Sequence, residues 1–294
     1  MNRRRFLALS ASFSALMGSH ASASAYSDRW DGVALGADVS VTLSGPRPAV
    51  REMLADLPQM LDRIEETFSL YRPTSALMRL NTEGALPPNA DFDAILGRAA
   101  QAHRLTGGLF DPTIQPLWQA LANSEDPGPA RALIGWDRVR RGPAGTRLAP
   151  GQQLTFNGIA QGFATDLVRR QLAARGFTHA LVNLGEYAAL GGPFRLGLSD
   201  PAHGPMGQRT LTGGAIATSS PGALHLGDTG HILSPDGRPA LWSTVSIEGP
   251  SATLADALST AAVFLPRPEL ARLKTEARLT RITVISPDGD LSTL

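Results

Sequence analysis

Two oxygen-bearing side chains four residues apart, Asp256 and Thr260, stand in the stretch Leu254–Phe264, whose alanines and leucines favour a helix. Helical spacing puts residues i and i+4 on one face, so the carboxylate and the hydroxyl point the same way. A carboxylate beside a hydroxyl, with room for waters and substrate phosphate oxygens, is a donor set that magnesium takes outside an all-protein cage. The same spacing is common on solvated or N-terminal helix faces, which is the bland alternative. Three further segments carry functional groups. Asn157-Gly158-Ile159-Ala160-Gln161-Gly162 places two glycines around a helix start, where bare amides and the positive helix end can receive a phosphate. It has neither P-loop nor dinucleotide spacing, and an ordinary tight turn explains it equally. Thr229–Gly237 is a turn-rich loop with an imidazole, His231, which by itself reads as a surface residue. Ala215–Ser220 ends a strand in three hydroxyls, a phosphate contact or a Ser/Thr turn.

The elements that must position these groups follow from periodicity. Val33–Leu43 reads as an opening strand with Val39, Val41 and Leu43 on one face. Val50–Phe68 has Met53, Leu54, Leu57, Leu61, Ile64 and Phe68 at helical spacing, with Pro58 set to kink or split it. A short helical piece at Ala76–Asn81 and a helix at Phe92–Leu105 come next, the latter stopped by Gly107-Gly108. Leu109–Thr113 reads as loop, because Pro112 keeps Asp111 out of the helical region, and Ile114–Ala122 as helix. Leu154–Phe156 is expected as a short strand feeding the glycine turn, with a helix over Ala164–Arg175 capped by Gly176. Strands follow at Ala180–Leu184, Phe194–Leu198, Gly214–Thr218, Trp242–Ile247 and Arg281–Ile285, with a helix near Pro268–Ala277. Neighbouring strands alongside helices give an α+β class, not a doubly wound sheet. The Gly/Pro cluster at 142–151 is the candidate subdomain boundary.

Bulk properties narrow the function. The chain has 294 residues, 43% hydrophobic and 18% charged, enough for a substantial core. Lys and Arg number 27 against 26 Asp and Glu, which argues against a nucleic-acid surface. With no cysteine, disulfides, thiolate nucleophiles and zinc–sulfur or iron–sulfur centres are excluded. Residues 1–25 read as an export signal: Arg3-Arg4-Arg5-Phe6-Leu7, then the apolar run Ala8–Met17, then Ala23-Ser24-Ala25. The arginine pair followed by x-Phe-Leu resembles a twin-arginine signal, with Sec export as the alternative. Its removal takes three arginines and moves the formal net charge from +1 to −2, leaving 26–294 as the mature, periplasmic chain.

Taken in order, several blocks resemble the ApbE family. They are Ser69-Leu70-Tyr71-Arg72-Pro73-Thr74-Ser75, Thr106–Thr113, Gly158–Ala164, Val182-Asn183-Leu184-Gly185, Ala217-Thr218-Ser219, His231-Ile232 and Ala255–Ala261, and they span nearly all of 26–294. The resemblance implies two packed α/β subdomains with the flavin site between them. It also implies an activity: an exported, magnesium-assisted transferase that takes FAD and attaches its FMN half to a threonine or serine of an acceptor flavoprotein. Carried over, Asp256 and Thr260 match magnesium ligands, and Gly158 the position whose backbone carbonyl completes the protein's share. Tyr71, Leu109, Phe110, Asp111 and Ile232 match FAD contacts, as do the positions of Thr155 and Gln161. His231 matches the family's histidine and is the leading general base for the acceptor hydroxyl.

The chain departs from the family where Thr155 replaces an acid, Gln161 a lysine and Glu186-Tyr187 a Gly-Asp pair, and in the opening Leu35-Gly36-Ala37 and the loop Leu233–Gly237. These departures point to a divergent branch, the one serving nitrous-oxide respiration being the expectation, with a membrane-bound acceptor carrying a periplasmic domain. Thr155 and Gln161 also keep a second reading open, an FAD carrier or assembly factor of the same fold.

Overall fold

The computed structural model describes residues 26–227 and 229–294, so the expected export signal lies outside the described residues. The opening strand is two strands, β1 (Tyr26–Ala34) and β2 (Ala37–Gly45), paired through a turn in which Leu35 and Gly36 have φ of 50° and 76°. Two central residues with positive φ match the twist of an antiparallel hairpin. A leucine in that conformation is unusual, which is why the turn does not show in the sequence. Helix α1 (Arg47–Phe68) runs through Pro58 unsplit. The proline costs about 3 kcal/mol in a helix interior, whereas each of the large apolar side chains the helix buries returns about 1.5–3 kcal/mol. Val50, Met53, Leu54, Leu57, Leu61, Ile64 and Phe68 are all buried, so packing decides.

Helix α2 (Ala76–Glu83) is capped by Ser75 and stopped by Gly84, and β3 (Ala85–Leu86) follows. Helix α3 (Ala90–Leu105) has Asn89 as its cap, Asp91 and Asp93 in its first turn and His103 and Arg104 in its last, all complementing the helix dipole. Asp111 caps a 3-10 turn that leads into α4 (Gln115–Ala122), and the segment at 126–129 opens a short helix, α5 (Pro127–Arg131). Strands β4 (Arg140–Gly142) and β5 (Gly145–Arg147) form a small hairpin that pairs with β3. Leu154–Phe156 is not a strand, and among the described residues no strand pairs with it. The Asn81 amide stands in for a strand, accepting from Leu154 N at 2.7 Å and donating to Leu154 O at 2.8 Å.

Helix α6 (Ala160–Ala174) begins at the glycine turn, and β6 (His179–Asn183), β7 (Tyr187–Leu190), β8 (Phe194–Asp200), β9 (Gly204–Leu211) and β10 (Gly214–Ser219) follow. After β11 (His225–Leu226), β12 (Thr229–Gly230) and β13 (Thr244–Gly249) come α7 (Ala252–Ala262), α8 (Arg267–Glu276), β14 (Arg281–Ile285) and β15 (Leu291–Thr293). Eight strands make one sheet in the order β1-β2-β6-β7-β10-β13-β14-β15, every neighbouring pair antiparallel. With helices segregated onto an antiparallel sheet, the fold is α+β, as its sequence predicts.

Alternate residues of the strands divide between two faces. Val41, Leu43, Val182, Ala217, Val245, Ile247 and Val284 pack in one core with α1, α3, α6 and α7. Leu181, Ala189 and Ile216 face the other way and pack with Leu196 and Leu211 of the β8–β9 hairpin. Inside the main core, Phe68, Phe92, Phe156 and Phe163 form an aromatic cluster with ring centroids 5.3–6.3 Å apart. Phe156 and Phe163 flank the glycine turn, so this cluster seats the turn on α1 and α3. No helix among the described residues is long and apolar enough to cross a membrane.

Candidate functional site

Helices α6 and α7 meet more closely than side chains allow. A Cβ on Gly162 would lie 2.3 Å from Ala252 O, and one on Gly158 would lie 2.8 Å from Thr260 Oγ1. At Gly162 the obstacle is backbone, so only glycine fits, whereas at Gly158 it is the Thr260 side chain, which a Cβ would push aside. A third device locks the pair. Asp166 of α6 accepts from Ser251 Oγ (2.6 Å), Ala252 N (3.1 Å), Thr253 N (3.0 Å) and Thr253 Oγ1 (2.7 Å), satisfying the orphan amides at the start of α7. Arg169 pairs with Asp166 at 3.0 Å and donates to Pro250 O at 2.8 Å.

This clamp fixes Asp256 and Thr260 over the glycine turn. Asp256 is buried, and its Oδ2 accepts from Gly162 N at 2.9 Å. Burial pushes its carboxyl up to about 7, partly offset by that amide. Thr260 Oγ1 donates its proton back to Asp256 O at 3.1 Å, which leaves the oxygen's lone pairs free. Ser219 Oγ lies 3.5 Å from the same hydroxyl and 2.8 Å from Ser259 Oγ, tying the end of β10 to α7. Among the described residues no ion pair reaches Asp256. A desolvated carboxylate without a counter-charge, beside a hydroxyl with free lone pairs and a backbone brought close by Gly158, fits a hard divalent cation. The solvated-face alternative does not survive, because α7 is buried along nearly its whole length.

His231 follows β12. Its backbone N donates to Leu224 O at 2.9 Å, and its Nδ1 lies 3.2 Å from Pro221 O and 3.3 Å from Leu224 O. Two carbonyl partners put the proton on Nδ1, and with no partner for Nε2 among the described residues that nitrogen is the basic one. Burial lowers its pKa, with the two carbonyls opposing, so the imidazole is neutral near pH 7. It is a half-buried, oriented side chain and not the surface histidine a lone loop imidazole suggests.

The remaining predicted residues are built less rigidly or serve two ends. Tyr71 is 67% exposed at the rim. Its neighbour Arg72 pairs with Asp62 at 2.6 Å and with Glu65, and Glu65 in turn accepts from Leu35 N at 2.8 Å, joining the rim to the β1–β2 turn. Leu109 and Phe110 are core residues as well as cavity walls. Asp111 is buried and spends Oδ1 on Thr113 N (2.8 Å) and Thr113 Oγ1 (2.6 Å). Thr155 N donates to Pro112 O at 2.8 Å, and its hydroxyl accepts from Asn157 N at 3.2 Å. Gln161 lies across Gly185, where a Cβ would meet its amide carbon at 2.4 Å. Ile232 is half-buried against the main core.

All of these line one cavity of about 850 Å³: Tyr71, Leu109, Phe110, Asp111, Thr155, Gly158, Gln161, His231, Ile232, Asp256 and Thr260. Sequence reasoning missed two groups. Glu186, noted only as a departure from a motif, is a buried carboxylate on this cavity. Asp166, the clamp on α7, carries no signal beyond its place on the helix that opens at the glycine turn.

Known proteins resemble this chain throughout. An FAD:protein FMN transferase from Treponema pallidum is 31% identical, the match covering 77% of this chain and 75% of that one. One from Vibrio cholerae is 26% identical over 71% of this chain and 72% of its own length. The apo form of the Pseudomonas stutzeri flavinyl transferase ApbE superposes with a TM-score of 0.79 at 25% identity, over 92% of this chain and 94% of that one. The Vibrio cholerae flavin transferase ApbE shares the fold at a TM-score of 0.77 and 20% identity, covering 92% and 97%. The ApbE family model matches residues 33–284, and this chain belongs to the ApbE family.

Proposed function

We propose that this protein takes FAD, breaks its diphosphate and attaches the FMN half through phosphorus to a threonine or serine hydroxyl of an acceptor protein, releasing AMP. One observation carries the reading: a single cavity brings a neutral histidine, its Nδ1 held by carbonyls, together with the hard oxygens of Asp256 and Thr260. The relatives' names support the same chemistry.

Asp256, Thr260 and the Gly158 carbonyl would hold magnesium, which when bound offsets charge on the diphosphate oxygens. The acceptor hydroxyl attacks the FMN phosphorus while the bond to the bridging oxygen breaks and AMP leaves. His231 takes the hydroxyl proton on Nε2, and its two carbonyl partners hold the ring in the tautomer that can do so. Tyr71 offers a ring face at the rim, and Leu109 and Phe110 an apolar wall. We extend the reading to place: residues 3–7 and the apolar run after them support export to the periplasm, and an acceptor with a periplasmic domain, in keeping with the nitrous-oxide respiration branch.

The test is incubation of residues 26–294 with FAD, magnesium and a candidate acceptor, followed by in-gel flavin fluorescence after denaturation. Fluorescence on the acceptor is expected. One observation favours the FAD-carrier reading: Thr155 and Gln161 are neutral, the Thr155 hydroxyl is taken up by Asn157 N, and the Gln161 amide is packed against Gly185. A protein that binds FAD yet labels no acceptor, and is not rescued by Thr155→Asp with Gln161→Lys, is the carrier.

A further inference from the structure

Glu186 and Asp256, 8% and 4% exposed, face the same cavity, yet only Asp256 belongs to the donor set above. The two are held by the first turns of one helix. Gly162 N of α6 donates to Asp256 Oδ2, and Thr165 Oγ1, three residues on, donates to Glu186 O at 3.1 Å. Leu184 N donates to the same carbonyl at 3.1 Å, and Thr218 N donates to Glu186 Oε2 at 3.1 Å. The carboxylate is therefore aimed by backbone on both sides. Each carboxylate spends one oxygen on one amide, and the other, Oε1 of Glu186 and Oδ1 of Asp256, has no protein donor among the described residues. No arginine or lysine among the described residues pairs with either. Burial first, and then the Asp256 charge, raise the Glu186 carboxyl well above its ordinary value. Two desolvated anions on one cavity wall are unfavourable unless a proton or a cation offsets their charge.

We propose that Glu186 is a second anionic donor of the divalent-cation site, joining Asp256, Thr260 and the Gly158 carbonyl, so that the site holds magnesium or manganese without help from substrate phosphate. The inference rests on the cation site of the proposed function. A site with one carboxylate leaves a net positive charge that substrate phosphate must neutralise, which makes cation binding conditional on the nucleotide. Two carboxylates neutralise a divalent ion, and four protein oxygens with two waters fill an octahedral shell.

Calorimetric titration of Mn²⁺ into the full protein, with no FAD and no acceptor present, tests this. One saturable site is expected in the wild type. Glu186→Gln keeps an acceptor for Thr218 N but loses the charge, and its Mn²⁺ affinity should fall at least tenfold while its melting temperature in EDTA is unchanged or higher. Glu186→Asp keeps the charge, set back by one methylene, and should bind with an affinity between the two. A wild type that takes up no Mn²⁺ without FAD overturns the proposal. So does Mn²⁺ affinity within twofold of wild type in Glu186→Gln, which makes Glu186 a proton-sharing structural partner of Asp256. Because no flavin enters the assay, its outcome is separate from that of FMN transfer. Normal transfer with unchanged Mn²⁺ affinity removes only the role of Glu186, and absent transfer with the expected affinities removes only the proposed function.

Discussion

The wall of the cavity built from α6, α7 and β10 and the wall built from the 69–72 and 221–232 loops face the same space but are held by different means. On the first, Gly162 and Thr218 hold one oxygen each of Asp256 and Glu186 respectively, and Asp166 and Ser219 tie α7 to α6 and β10, all through hydrogen bonds between elements far apart in the chain. On the second, His231 is held by carbonyls of its own loop, and Tyr71 stands two-thirds exposed. Groups that must meet developing charge need positions fixed within a fraction of an ångström, and regular elements provide that. Groups that admit a nucleotide and then a protein need access, which loops provide.

The sharpest way to break this comparison is Asp256→Ala. It removes one of the two carboxylates of the rigid wall, and the barrier to transfer should rise by several kcal/mol, slowing it roughly 10²–10⁴-fold. The fold should survive at a cost of about 1–3 kcal/mol for the stranded Gly162 amide. Turnover at the wild-type rate in saturating magnesium would place the chemistry elsewhere.

Next comes His231→Asn, expected to lower turnover by roughly 10²–10⁴-fold, with FAD affinity little changed. The sign of the pH dependence follows from the burial that depresses this imidazole. A base works when neutral, so the rate should rise with pH, and with a lowered pKa the midpoint should lie below the reference value of ~6.5. A rate flat from pH 5 to 8 removes His231 from the proton's path.

Asp166→Ala sharpens the comparison from the side of stability. It strands the Ala252 and Thr253 amides and unpairs Arg169, at a cost of about 1–3 kcal/mol for each buried donor left unsatisfied. Urea denaturation should show that loss, while an equally buried but unclamped residue of the loop wall should show less. Equal losses would mean that the α6–α7 junction is no more rigid than the loops.

How much of this was legible depends on whether the information was local. The period of Val50–Phe68 and the strand Arg281–Ile285 were readable because burial imposes its pattern on the residues themselves. Strands β7, β9 and β15 were not. β7 is four residues with two alanines, β9 carries two glycines and a proline, and β15 is three residues long, so each is a strand because of its partner. Leu154–Phe156 has strand-like residues and no strand partner, since the Asn81 amide takes that place. At the site, the motif residues came together on one cavity, but the role of Glu186 depends on Thr218 and Asp256, distant in sequence, and no spacing rule reaches that far.

The smallest effect belongs to the loop wall and is the most direct measure of the contrast. Tyr71 presents its ring at the rim with most of its surface in solvent, so its removal leaves no cavity in the core and strands no buried partner. What Tyr71→Ala loses is a stacking face, worth about 0.5–1.5 kcal/mol beyond area burial, or roughly a 2- to 12-fold weaker affinity for FAD. The turnover rate at saturating FAD should hold, because an interaction made equally before and during the reaction shifts binding and not the barrier. Fluorescence titration with FAD and a rate measurement at saturation separate the two. Wild-type affinity would make Tyr71 a residue of the surface alone, and a fall in saturated rate with affinity intact would move it to the side of Asp256 and His231.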